Sequence, residues 1–209
     1  MEETSRRTVG HYEERAEAFW EGTRDHDVSQ NIDALLSCLP EGGVGKRVLD
    51  FGCGPGRDLE ALTKRGVAAT GLDGCESFCA MARSHSGCKI LHQDFLALDL
   101  PAEGFDGIFA NASLFHVPTA HLKGVLDALF SALGPGGVLF SSNPRGQGEE
   151  GWNEERYGVY HDFESWSRWV CGSGFSALRH YYRPEGLPRA EQHWLASLWK
   201  KPGGSAPGP

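Results

Sequence analysis

Short apolar runs alternate with amphipathic segments along most of the chain. The runs at residues 47–52 and 67–73 predict buried strands, and the amphipathic segments between such runs predict helices. The clearest helical stripe consists of Leu122, Val125, Leu126, Leu129, Phe130 and Leu133. Five predicted strands alternate with helices between residues 47 and 142. This order predicts an α/β fold with a doubly wound, mostly parallel sheet.

Both ends of the chain differ from this pattern. Residues 8–20 and 27–40 are each compatible with a helix, and together they predict an N-terminal helical cap over residues 1–42. Residues 201–209 are rich in glycine and proline, so we expect a disordered tail there. The domain between cap and tail is expected to span residues 43–200.

The last third of that domain breaks the alternation. Residues 162–174 predict a helix, and residues 175–184 and 193–201 predict two closing strands. A long polar and aromatic stretch at residues 143–161 precedes them. Long loops inside compact domains are usually functional, so we predict a substrate loop there.

Composition limits the classes of function. The chain has 209 residues, 40% of them hydrophobic, which suits a single core, and its formal net charge of -8 argues against a general nucleic-acid binder. It has no apolar run long enough to span a membrane. Its six cysteines are scattered, which is typical of reduced thiols and predicts a cytoplasmic protein.

A glycine-rich loop follows the first predicted strand. Gly52, Gly54 and Gly56 lie where ligands of open parallel sheets bind, outside the carboxyl end of a strand. A dinucleotide loop would place its last glycine where this chain has Arg57. Asp50 would repel a pyrophosphate and attract an ammonium group, although it can also hold the loop by accepting backbone hydrogen bonds.

A positively charged ligand without phosphate suits such a loop, and S-adenosylmethionine is one. Asp73 ends the second strand and is a candidate acceptor for ribose hydroxyls, with helix capping as the alternative. Asp94 and Phe95 follow the third strand and are candidates for the adenine site. A surface carboxylate is the alternative for Asp94, and core packing is the alternative for Phe95.

Five segments resemble those of a known family. They read VLDFGCGPG, GLDGCESFCAMAR, HQDF, FDGIFANASLFHVP and GPGGVLFSSNP, and with the closing strands they cover roughly residues 45–200. In this order they resemble class I S-adenosylmethionine-dependent methyltransferases. The resemblance implies a Rossmann-like sheet of seven strands with an antiparallel final strand, S-adenosyl-L-methionine as cofactor and S-adenosyl-L-homocysteine as product. The predicted cofactor-binding residues are Tyr12, Asp50, Gly52, Cys53, Gly54, Gly56, Asp73, Gly74, Asp94, Phe95 and Asn111.

Candidate catalytic and substrate residues come from the second half of the chain. His116 follows the fourth strand, near the transferred methyl in the family that the chain resembles, and is a candidate general base. Packing at a strand end is its alternative. His161 is the second catalytic candidate. The candidate substrate-binding residues lie in the long stretch, for which a solvated surface loop is the alternative: Asn143, Arg145, Trp152, Tyr157 and Tyr160.

The resulting hypothesis is methyl transfer to a nitrogen, oxygen or sulfur atom of a small polar metabolite by in-line displacement. A protein side-chain methyltransferase and a non-catalytic cofactor-binding scaffold are the alternatives. We expect a small-molecule substrate, no nucleic-acid or membrane partner, no metal site, and a monomer or homodimer.

Overall fold

The computed structural model describes residues 2–203, which form nine strands in two sheets. The strands are Arg47–Phe51 (β1), Ala68–Asp73 (β2), Lys89–His92 (β3), Phe105–Asn111 (β4), Leu133–Pro144 (β5), Glu149–Asn153 (β6), Arg156–Tyr160 (β7), Ser176–Arg183 (β8) and Trp194–Lys200 (β9). Seven of them form one sheet in the order β3-β2-β1-β4-β5-β9-β8. β9 runs antiparallel to both of its neighbours, β5 and β8, and the other four pairings in that sheet are parallel. This confirms the predicted Rossmann-like sheet with an antiparallel final strand.

Helices cover both faces of the sheet. They are Glu3–Glu14 (α1), Ala16–Thr23 (α2), Ser29–Leu36 (α3), Arg57–Thr63 (α4), Glu76–Ser86 (α5), Thr119–Ala132 (α6) and Phe163–Gly172 (α7), with short 3-10 turns at Pro40–Gly43, Leu114–His116 and Arg189–Glu191. On one face Leu49 and Ile108 belong to the same buried cluster as Leu126 of α6. On the other face Val48 packs with Ile32 of α3. Adjacent residues of β1 thus point to opposite layers, which explains why Val48 and Leu49 are both apolar.

The N-terminal cap differs from the prediction in detail. One helix was expected over residues 8–20, but the backbone leaves helical geometry at Arg15, where φ is -123° and ψ is 17°. The break divides the segment into α1 and α2. Neither helix has a side-chain N-cap, so the sequence carries no capping signal for this boundary.

The predicted substrate loop at residues 143–161 is not a loop for most of its length. β5 continues to Pro144, and β6 and β7 pair as an antiparallel hairpin. Its turn contains Glu154 with a φ of 55°. Hairpin turns of this kind usually carry glycine or asparagine, so the two glutamates at 154 and 155 concealed the hairpin.

Pairing of the sheet extends one residue into the predicted tail. The amide of Lys201 donates to the carbonyl of Gly137 at 2.8 Å, and its carbonyl accepts from Gly136 at 3.0 Å. Residues 204–209 of the predicted disordered segment lie outside the described residues. Among residues 2–203, no helix is long and apolar enough to cross a bilayer.

Candidate functional site

A cavity of about 640 Å³ lies at the carboxyl ends of β1, β2 and β4. This is the edge of an open parallel sheet at which ligands bind. Residues of α1 and α2 complete its wall. Ten of the predicted site residues line it: Tyr12, Gly52, Cys53, Gly54, Asp73, Gly74, Asp94, Phe95, Asn111 and His116.

The glycine loop presents backbone to this cavity. The Gly52 amide donates to the Leu72 carbonyl at 2.8 Å. Gly52 has a φ of 78°, which favours glycine, and a Cβ there would collide with the Ser113 side chain. A Cβ on Gly54 would meet only Phe19, at 3.8 Å. The space beside Gly54 is therefore open to a ligand.

The other two predicted loop residues have different surroundings. Gly56 lies at the start of α4 and does not line the cavity. A Cβ on Gly56 would lie 2.9 Å from the Cα of Ala82, so glycine here allows α4 and α5 to pack closely. Cys53 lines the cavity and donates to the Gly54 carbonyl at 3.6 Å. Burial raises the pKa of Cys53 well above its ordinary value, which keeps the thiol protonated at neutral pH.

Asp73 connects the loop to the start of α5. Its Oδ2 accepts from the Gly54 amide at 2.9 Å, and its Oδ1 accepts from the Cys75 amide at 2.9 Å. Burial raises the pKa of Asp73 to about 6. The N-cap of α5 is Cys75, whose side chain accepts from the Phe78 amide, so Asp73 is not itself the helix cap. The Asp73 carboxylate lines the cavity and retains lone pairs for a ligand hydroxyl.

Two further carboxylates lie beneath the loop with one cation. Asp50 is 1% exposed, and its Oδ2 has no hydrogen-bond partner among residues 2–203. Burial and the nearby Asp58 raise the pKa of Asp50 well above its usual range. Asp58 forms an ion pair with Arg57 at 2.6 Å and accepts from Asn111 Nδ2 at 3.0 Å. Asp58 lines the cavity, whereas Asp50 does not, so Asp50 lies beneath the loop without facing the cavity. A carboxylate on this wall suits the ammonium and sulfonium groups of the predicted cofactor and would repel a phosphate.

The predicted adenine residues lie at another part of the cavity wall. Asp94 accepts hydrogen bonds from Ser5 Oγ at 2.7 Å and from the Leu96 amide at 3.1 Å. Phe95 stacks on Phe51 with a centroid separation of 4.3 Å. Phe95 therefore both packs against the core and faces the cavity, so the two interpretations of this residue are compatible.

A chain of hydrogen bonds joins α1 to the turn after β4 and to the hairpin. His116 Nδ1 lies 2.6 Å from the Tyr157 carbonyl, and His116 Nε2 lies 2.9 Å from the Tyr12 hydroxyl. Because a carbonyl can only accept, Nδ1 carries the proton, and in the neutral ring Nε2 accepts from Tyr12. Burial lowers the pKa of His116 to about 4, so the imidazole is neutral at pH 7.

His161 and Asn143 do not line the cavity. His161 Nδ1 is 3.3 Å from Ser165 Oγ, while its Nε2 is buried without a partner among the described residues. Burial lowers the pKa of His161. Asn143 lies buried in β5, and its Oδ1 also has no partner within residues 2–203.

The other predicted substrate residues contact protein rather than the cavity. Arg145 donates to the Arg189 carbonyl at 2.8 Å. Tyr157 donates its hydroxyl to Glu150 at 2.9 Å. The remaining two are Trp152, which lies under the Arg7 guanidinium, and Tyr160, which packs near Phe115. The assignment of all five to substrate remains a prediction.

Several of these hairpin residues instead join the hairpin to α1. The Tyr157 amide donates to Thr8 Oγ1 at 3.0 Å. Arg7 forms an ion pair with Glu155. The Arg7 guanidinium lies 4.3 Å from the centroid of the Trp152 ring. The hairpin therefore supports the helix that covers the cavity.

Sequence reasoning did not select four other residues that line the cavity: His26, Arg156, Arg183 and Trp194. Arg156 lies on β7, inside the stretch that was predicted to bind substrate, but its residue type did not distinguish it from Arg145. Trp194 begins β9, and Arg183 ends β8. His26 lies between α2 and α3, where no motif marks it.

Residues 2–203 contain no group of three or more histidine, cysteine, aspartate or glutamate side chains placed to hold a metal ion.

Residues 48–137 match a family model described as a methyltransferase domain. A ubiquinone biosynthesis O-methyltransferase from Pseudomonas fluorescens is 33% identical over 144 residues, which are 64% of this chain and 61% of that relative. The chain thus spans about three fifths of the length of this curated relative.

Solved structures share the fold over nearly the whole chain. A 1,6-didemethyltoxoflavin-N1-methyltransferase from Burkholderia thailandensis, solved with S-adenosylhomocysteine, has a TM-score of 0.75 at 19% identity and covers 94% of this chain and 88% of its own. A TehB-like methyltransferase from Corynebacterium glutamicum has a TM-score of 0.72 at 18% identity, over 92% of this chain and 98% of its own.

Proposed function

We propose that this chain is a class I S-adenosylmethionine-dependent methyltransferase that transfers a methyl group to a nitrogen, oxygen or sulfur atom of a small polar molecule; its fold and the methyltransferase-domain match at residues 48–137 support this. The observation that carries the proposal is the position of Gly54, Asp73 and Asn111 around one cavity. Each lies at or just after the end of a different strand, and the parallel arrangement of β1, β2 and β4 brings them together.

The cavity residues suit S-adenosyl-L-methionine part by part. Asp73 would hold the ribose hydroxyls, while Asp94 and Phe95 would hold the adenine. The backbone from Gly52 to Gly54 would lie against the methionine portion, above the unpartnered oxygen of Asp50. When bound, this cofactor supplies a methyl group on a positively charged sulfur whose departure as a neutral thioether makes the transfer favourable.

The protein's own contribution is alignment and exclusion of water. Tyr12, Phe19 and Phe78 form an aromatic cluster with centroid separations of 5.0 to 5.6 Å, and all three line the cavity. Holding nucleophile and methyl in line supplies on the order of 7 to 11 kcal/mol in favourable cases. The aromatic wall keeps water from competing for the methyl group.

His116 suits a positioning role better than that of a general base. Both ring nitrogens are engaged, one by the Tyr157 carbonyl and one by the Tyr12 hydroxyl. With its pKa lowered to about 4 by burial, the ring has little tendency to take a proton at neutral pH. Its contribution is to hold Tyr12 against the cavity.

A small substrate fits this geometry better than a protein side chain. Residues of α1 and α2, among them Val9 and Trp20, line the cavity opposite the strand ends, so an extended polypeptide would have to displace both helices. The cavity volume of about 640 Å³ lies within the range of small-molecule sites.

Calorimetry followed by a labelling assay tests the proposal. We expect S-adenosyl-L-homocysteine to bind the protein with micromolar affinity, and isotopically labelled cofactor to transfer its methyl group to a compound in a metabolite extract. Mass identification of the labelled product then gives the acceptor atom. Binding without transfer would favour the scaffold alternative, and absence of binding would refute the proposal.

A further inference from the structure

We propose that Arg156 selects a methyl acceptor that carries an anionic group, such as a carboxylate. This inference rests on the proposed function and names the substrate class that the same cavity takes. It starts from an imbalance among the charged side chains that line the cavity.

The carboxylates of the cavity wall already have hydrogen-bond donors. Asp58 has Arg57 and Asn111, and Asp73 has two backbone amides. The same holds for Asp94, which accepts from Ser5 and Leu96, and for Asp27, which accepts from the Ser29 amide. None of these carboxylates requires a further cation from the protein.

The guanidinium groups of the wall are less well satisfied. Arg57 is paired with Asp58. Arg183 makes one long hydrogen bond, 3.4 Å, to the Asp27 carbonyl. The Arg156 side chain forms no ion pair within residues 2–203, its buried Nε has no hydrogen-bond partner there, and its guanidinium contacts the uncharged Tyr12 hydroxyl. A buried donor of a charged group without a partner costs free energy, which a bound anion would recover.

The neighbours of Arg156 do not neutralise it. Burial raises the pKa of Tyr12, and a hydrogen-bonding contact with the Arg156 guanidinium opposes that rise. The positive charge of Arg156 also helps to lower the pKa values of His116 and His11, each of which burial lowers most. A tyrosine hydroxyl does not neutralise a guanidinium, so Arg156 keeps its charge beside the cavity.

The position of Arg156 in the chain favours the acceptor over the cofactor as its ligand. Arg156 belongs to the hairpin that is inserted after β5, outside the domain match at residues 48–137. The residues assigned to ribose, adenine and methionine all lie within that match, apart from Tyr12. Loops added to a conserved scaffold commonly carry recognition of the variable ligand.

The chemistry of the ligand follows from the guanidinium and its surroundings. A planar guanidinium binds carboxylates through two parallel hydrogen bonds. Phe115 and Trp194 also line the cavity, so an aromatic body on the acceptor would find apolar partners. A small aromatic carboxylate combines both features.

Calorimetry with two probes of the same shape tests this inference. Protein saturated with S-adenosyl-L-homocysteine is titrated with 4-hydroxybenzoate and with the uncharged 4-hydroxybenzamide. We expect the carboxylate to bind about 10-fold more tightly to the unmodified protein, and Arg156→Gln to abolish that preference. Arg156→Lys should retain part of it. Arg179→Gln is the matched control, because Arg179 lies on β8 and does not line this cavity.

Three outcomes would overturn the inference. They are an equal affinity for the two probes, a preference that survives Arg156→Gln, and no binding of either probe at millimolar concentration. A fourth comes from the cofactor side: if Arg156→Gln weakens S-adenosyl-L-homocysteine but not 5′-methylthioadenosine, which lacks the amino-acid end, Arg156 binds the cofactor carboxylate instead. The proposed function fails separately, when the unmodified protein does not bind S-adenosyl-L-homocysteine.

Discussion

Two regions border the cavity and are built differently. One, called the crevice here, consists of the glycine loop with Asp73 and Asn111 at the strand ends, and the other is the hairpin of β6 and β7. In the crevice, backbone amides at the strand ends fix the functional groups, as when Asp73 accepts from the Gly54 and Cys75 amides. In the hairpin, side chains reach across the chain to α1, as Glu155 does to Arg7. The ends of the sheet strands therefore define the first region, and side-chain contacts with α1 define the second.

This difference predicts different responses to substitution. Removing a crevice residue should remove a ligand contact directly. Removing most hairpin residues should act on the ligand only through α1, and so more weakly. Arg156 is the exception, because it belongs to the hairpin and faces the cavity.

The largest effect is expected for Asp73→Ala. The variant loses the ribose acceptor and leaves the Gly54 and Cys75 amides without their partner, so calorimetry should show about 100-fold weaker binding of S-adenosyl-L-homocysteine. Asp106→Ala is the control, since Asp106 pairs with Arg47 near the start of β4 and does not line the cavity. Equal affinity of Asp73→Ala and the unmodified protein would show that the ribose assignment is wrong.

His116 should give the hairpin side of the cavity a pH-dependent stability. Burial lowers the pKa of His116 from 6.5 to about 4, so the unfolded chain binds the proton more readily between these values. The contribution is complete above pH 6.5 and is lost as the pH falls towards 4. Relative to His116→Asn, the unmodified protein should lose about 2 kcal/mol of unfolding free energy over this range.

Urea denaturation at several pH values measures that difference. Because each curve is compared with that of His116→Asn, the titration of other groups, including Asp73 with its opposite shift, cancels. If the difference in unfolding free energy between the unmodified protein and His116→Asn stays constant from pH 7 to pH 4, His116 is not buried as neutral imidazole.

The crevice could be predicted from sequence because its signals are local. The loop glycines, Asp73 and Asn111 each lie at a strand end, and the alternation of strands and helices places those ends at one edge. The hairpin could not be predicted in the same way. Its turn at Glu154 lacks a turn residue, and the partners of Thr8 and His116 are backbone groups, which carry no sequence signal. Choosing Arg156 over Arg145 requires knowing which face of the hairpin meets the cavity.

A smaller loss of cofactor affinity is expected when the hydrogen bonds that join α1 to His116 and to the hairpin are removed. Tyr12→Phe removes the donor to His116 Nε2, and Thr8→Val removes the acceptor of the Tyr157 amide. Each should weaken S-adenosyl-L-homocysteine binding about 3- to 10-fold, because one hydrogen bond that orients α1 is worth about 1 kcal/mol. If both bonds act through the position of α1, the double variant should lose less affinity than the product of the two single effects. Strictly multiplicative effects would show that the hairpin and Tyr12 act independently.

Arg145→Ala is expected to have the smallest effect, and it separates position from residue type. Arg145 was predicted to bind substrate, but it donates to the Arg189 carbonyl and lies 5.6 Å over the Tyr182 ring, away from the cavity lining. Loss of an exposed contact of this kind costs about 0.5 kcal/mol or less, so cofactor affinity and carboxylate preference should each change less than about 2-fold. Arg156→Gln, measured in the same assay, removes an equal positive charge from a position that does line the cavity. A loss of carboxylate preference in Arg145→Ala that equals the loss in Arg156→Gln would mean that long-range attraction by arginine charges, rather than direct contact with the Arg156 guanidinium, favours the acceptor.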